Sequence, residues 1–68
     1  MDRIKIVGMI EGLTKDAARE SAIGRKQALL GDAFGSNRAM GRSEGLRAGV
    51  TVLTMLLADF DAEAKADG

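Results

Sequence analysis

The sequence predicts a mainly α fold: a two-helix hairpin with a short N-terminal strand or helical extension, oligomerising through its apolar face. Three observations carry this. Leu46, Val50, Leu53, Leu57 and Phe60 recur at intervals of three and four, which holds them on one side of a 3.6-period helix. Gly31-Asp32-Ala33-Phe34-Gly35-Ser36-Asn37 is dense in glycine and small polar residues and divides the chain as a turn. The chain has 68 residues with no Cys and no His. It is one small domain, and neither a disulfide nor the usual zinc site can reinforce its core. A domain of this size buries only about 60% of its unfolded surface, so a partner chain is the remaining support. A homo-oligomer, most simply a dimer, follows.

The N-terminal segment, residues 3–10, opens with Arg3-Ile4-Lys5-Ile6-Val7, the period-two alternation of a half-buried strand. As a strand it would turn Ile4 and Ile6 inward and Arg3, Lys5 and Val7 outward. Ile6, Ile10, Leu13 and Ala17 also fall on one helix face, so a helix competes. Gly8 and Gly12 weigh against the helix, because interior glycine costs roughly 1 kcal/mol relative to alanine. Thr14 then reads as an N-cap with Asp16 in the first turn, where the helix dipole favours a carboxylate. That places the first helix at about 15–30 and the turn at 31–37. Ser36 or Asn37 caps a second helix over about 38–64. The likeness of 21–29 to 38–46 in its Ala, Gly, Arg and Leu positions agrees with two helices folded back on each other.

Nine glycines and no proline is an unusual balance for a helical chain. Gly41, Gly45 and Gly49 recur every four residues, as do Gly8 and Gly12, and Gly31 and Gly35. Small residues at that interval allow close helix approach, within or between chains. The formal net charge is zero but unevenly spread. Of the cations only Lys65 follows Arg47, whereas Asp59, Asp61, Glu63 and Asp67 do. A mildly basic front permits an acidic partner without demanding one.

Catalytic signatures are missing. No Gly-x-x-x-x-Gly-Lys-Ser/Thr phosphate loop occurs, the serines have no His to activate them, and Asp59, Asp61 and Glu63 match no calcium-loop spacing. The chain reads as a non-enzyme with no cofactor and no metal. Ala48 to Ala58, its longest apolar run, is far short of the roughly 20 residues a bilayer needs. No targeting segment is visible, and a cytoplasmic protein without membrane contact is expected.

The segment Gly41-Arg42-Ser43-Glu44-Gly45-Leu46-Arg47, together with the strand-like start, the capped helix and the glycine turn, resembles the ribbon-helix-helix family of dimeric DNA-binding regulators. Many of those proteins open their second helix with an Arg-Ser-Glu-Ala-Ile/Leu-Arg-type run. Only residues 42–50 are close. The resemblance implies a transcription regulator or antitoxin-like protein in which Arg3, Lys5 and Val7 face base edges. It puts Arg42 and Ser43 at a helix N-terminus on phosphate. A shared dimer core would comprise Ile4, Ile6, Leu46, Val50 and Leu53; apart from the resemblance, the apolar face of the second helix adds Gly49, Leu57 and Phe60 to the expected oligomer interface. The competing expectation is a non-enzymatic helical hairpin, a protein-binding oligomer acting as inhibitor, adaptor or assembly component, of the kind phages encode. It requires a helical N-terminus.

Overall fold

The computed structural model describes residues 2–67. Two antiparallel helices make up nearly all of it: α1, Arg3–Leu29, and α2, Ala33–Asp67. The molecule is a rod of 56 × 14 × 14 Å. At 1.5 Å per residue the 35 residues of α2 span about 52 Å, so α2 alone sets the length.

The N-terminal strand expected over Arg3–Val7 is absent, and the ribbon-helix-helix resemblance fails with it, because that fold is built on a β-ribbon. The described residues contain no strand. Two local reasons favour the helix. The Asp2 carboxylate caps it, accepting from the Lys5 amide at 2.8 Å. The stripe Ile6, Ile10, Leu13 and Ala17 then faces α2, with Ile6 and Ala17 buried and the other two half-buried. Period-two alternation over five residues competes poorly with a 3.6-period stripe that continues for three turns. Gly8 and Gly12 lie within α1 with open space around them, so they do not interrupt it. Thr14 caps nothing. It sits inside α1, its hydroxyl donating to the Ile10 carbonyl at 2.7 Å.

The turn is shorter than 31–37. Gly31 adopts φ +81°, the left-handed conformation glycine favours. Its N–H reaches the Ala28 carbonyl at 3.1 Å and the Asp32 N–H reaches Gln27 at 2.9 Å, the paired bonds of a Schellman ending. Asp32 immediately caps α2, accepting from the Gly35 amide at 2.8 Å. Ser36 and Asn37, expected as caps, are already helical. The second helix therefore begins at Ala33 and ends three residues beyond the expected 64.

The seam between the helices changes character along the rod. Near the turn it is built of small residues: Ala17, Ser21 and Gly24 against Ala39 and Ser43, all buried. A Cβ added at Gly24 would stand 3.0 Å from Met40 Sδ and 3.3 Å from the Ser36 carbonyl oxygen. The backbones approach closely there because the side chain is missing. Toward the open end Ile6, Ile10 and Leu13 meet Leu46, Val50, Leu53 and Leu57. Of these only Ile6 and Leu53 are buried. No large side chain is fully buried anywhere in the described residues.

Candidate functional site

No group of three metal-ligating side chains occurs among the described residues. No described helix is long and apolar enough to cross a membrane. What the fold positions is a polar relay within the seam and two uncovered apolar surfaces outside it.

The relay is directional. Ser43 Oγ donates to the Ala17 carbonyl at 3.1 Å and lies 2.6 Å from Ser21 Oγ. Ser43 has one hydroxyl proton, so while it donates to Ala17, Ser21 must be the donor between the two hydroxyls. Arg47 Nη2 completes the chain by donating to Ser21 Oγ at 3.3 Å. This relay fixes the register of the two helices at one level. Two ion pairs flank it. Arg42 Nε meets Glu20 Oε2 at 2.9 Å, and Arg3 Nε meets Asp61 Oδ1 at 3.1 Å near the open end. Both are partly solvated and worth little in stability individually, but they bridge α1 to α2.

The residues expected to contact nucleic acid are dispersed into this scaffold. Arg3 and Arg42 are occupied by Asp61 and Glu20. Val7 is half-buried and Lys5 is exposed, and as residues two apart on α1 they lie about 200° around its axis rather than on a shared face. Ser43 is 2% exposed and ten residues into α2, where the amides are bonded within the helix. It cannot form a phosphate-holding N-terminus. The expected oligomer core divides similarly. Ile6, Leu46, Val50, Leu53 and Leu57 serve the seam of a single chain, and Gly49 faces Leu13 Cδ1, which an added Cβ would meet at 3.4 Å. Ile4 and Phe60 remain outside, Ile4 at 85% exposure. Of the glycine pairs read as close contacts, Gly8, Gly12, Gly31, Gly41 and Gly45 have nothing within reach of an added Cβ. Close approach falls on Gly35, where an added Cβ would run into the Asp32 carboxylate and Gln27 Nε2, and on Gly24, which the four-residue glycine spacing does not mark. The signal for Gly24 is the run of small residues Ala17, Ser21 and Gly24 at helical spacing.

The first uncovered surface is a flank of the hairpin at its open end. A shallow groove there is lined by Ile6 from α1 and Leu56, Asp59, Phe60 and Glu63 from α2. The second is the turn, where Leu29, Leu30 and Phe34 are among the most exposed side chains in the molecule. No known family model, curated protein or solved structure matches the chain.

Proposed function

We propose that this protein is a non-enzymatic helical-hairpin interaction module whose working form is an assembly of copies, serving as an inhibitor, adaptor or assembly component. One observation carries the reading: the hairpin leaves eleven large apolar side chains exposed while burying none of comparable size completely. A monomeric domain keeps its large apolar groups in a core, and contiguous exposed patches mark interaction surfaces. The helical N-terminus is the second support. It is the conformation this reading requires, and it removes the ribbon on which a DNA-reading role rested.

Sedimentation equilibrium from micromolar to millimolar protein tests the proposal. A mass that rises with concentration to a multiple of the 7.1 kDa chain, with retained helical circular dichroism, is expected. A helical species of 7.1 kDa at every concentration would refute it. Anisotropy of labelled duplex DNA at low salt provides the contrast: this reading expects no binding that depends on Arg3 and Lys5.

A further inference from the structure

We infer that the flank carrying Met9, Val52, Leu56 and Phe60 is the seat of a second copy of this chain, two hairpins joining there as a four-helix bundle. The inference rests on the assembly reading above and names its surface. Helical spacing defines the flank. Ile6, Leu13 and Glu20 recur every seven residues along α1, and Arg42, Gly49, Leu56 and Glu63 every seven along α2. Residues seven apart lie on nearly one line of a helix.

Contacts across the seam put these two lines on the same side of the molecule. Glu20 pairs with Arg42, Leu13 abuts Gly49, and Ile6 shares a groove with Leu56 and Glu63. Met9, Val52 and Phe60 stand one turn from Leu13 or Leu56 on that side. All four proposed contact residues are partly open: Met9 45%, Val52 55%, Leu56 49% and Phe60 38%. Gly45 and Gly49 add no side chain to the surface, which leaves it flat enough for another helix to lie on.

Area and charge both point to a second copy as the occupant. The chain exposes 5083 Å², whereas a compact folded chain of its mass exposes about 4,100 Å². The excess of about 1,000 Å² is close to the roughly 800 Å² each partner contributes to a stable interface. The rim of the flank carries Lys5 on α1, one turn from Met9, and Asp59 and Glu63 on α2. A copy can therefore offer its Lys5 to the carboxylates of its mate. A formal net charge of zero leaves no general repulsion between copies.

Two measurements test the surface. Sedimentation equilibrium compares the native chain with the double variant Val52→Glu/Leu56→Glu and with Phe34→Glu at the exposed turn. The native chain should weigh twice 7.1 kDa, the double variant should associate at least a hundredfold more weakly, and Phe34→Glu should match the native chain. Because the chain has no thiol of its own, single cysteines can be joined by a short bis-maleimide. Leu56→Cys should give covalent dimers. Ile4→Cys should not, since residue 4 lies about 200° around α1 from Ile6. The cysteine comparison decides if the double variant loses its helices. An oligomer that persists in the folded double variant, depends on Phe34, or is captured through residue 4 and not residue 56 overturns the surface while leaving assembly intact. A native mass above twice 7.1 kDa overturns the two-copy form. A native chain that stays monomeric overturns the assembly reading itself.

Discussion

At the scale of single residues, the seam is narrow because its small side chains are hydrogen-bonded as well as packed. Ser21 and Ser43 are both buried, and a buried hydroxyl without a partner costs about 1–3 kcal/mol. Here the relay from Arg47 through Ser21 and Ser43 to the Ala17 carbonyl satisfies each hydroxyl. Ser43→Ala should cost about 1 kcal/mol in urea unfolding. Ser21 then loses its acceptor and must turn back to the carbonyl four residues before it, that of Ala17. The double variant Ser21→Ala/Ser43→Ala should cost less than the two single costs added, since either single variant already breaks the bond the two hydroxyls share. Costs that simply add would show that the two hydroxyls contribute independently and that the relay has no energetic reality.

At the scale of elements, both helices tolerate glycine where nothing is gained from it. Gly8 and Gly41 are interior helical residues whose added Cβ would meet nothing within 4 Å. Alanine there removes unfolded-chain entropy without a clash, so Gly8→Ala and Gly41→Ala should each raise stability by about 0.5–1 kcal/mol. Thermal unfolding followed by circular dichroism checks this, and a fall in Tm would place a contact at either position. The same physics separates what the sequence discloses from what it hides. The hairpin was legible because the stripe from Leu46 to Phe60 and the turn glycines are strong local signals. Spacing alone marked Leu46, Val50, Leu53 and Leu57 as one apolar stripe, and Ile6 and Ala17 as one face of the competing helix, but it assigned the stripe to a second copy, whereas it packs on α1 of the same chain. The N-terminal helix was obscured by glycines whose local penalty suggests a break, though packing of Ile6, Ile10, Leu13 and Ala17 outweighs it. The turn was overextended because Gly31-Asp32 does two jobs in adjacent positions, a left-handed stop and then a cap. The relay was hidden entirely: two serines twenty-two residues apart carry no sign of pairing until the helices are in register.

At the scale of the whole molecule, the hairpin's shape bears directly on its stability. A compact chain of 68 residues has a radius of gyration of about 11 Å, whereas this one measures 15.9 Å. Two helices side by side can shield only the stripe each turns toward the other. The seam therefore supplies one line of contact, tightest at Ala17, Ser21, Gly24, Ala39 and Ser43, where little apolar area is available to bury. The larger side chains gather at the open end, where the flank with Leu56 and Phe60 stays uncovered. Association that buries this flank would couple folding to chain concentration, because the folded state gains from each copy it binds. For a folded dimer in equilibrium with unfolded chains, a fiftyfold rise in concentration adds about 2.3 kcal/mol per dimer. Spread over the unfolding entropy of two such chains, this raises Tm by about 8 °C. Circular-dichroism melts at 10 and 500 μM should display that shift in the native chain and lose most of it in the Val52→Glu/Leu56→Glu variant. A Tm independent of concentration, in a chain that sediments as a folded monomer, would mean that the single seam sustains the rod unaided.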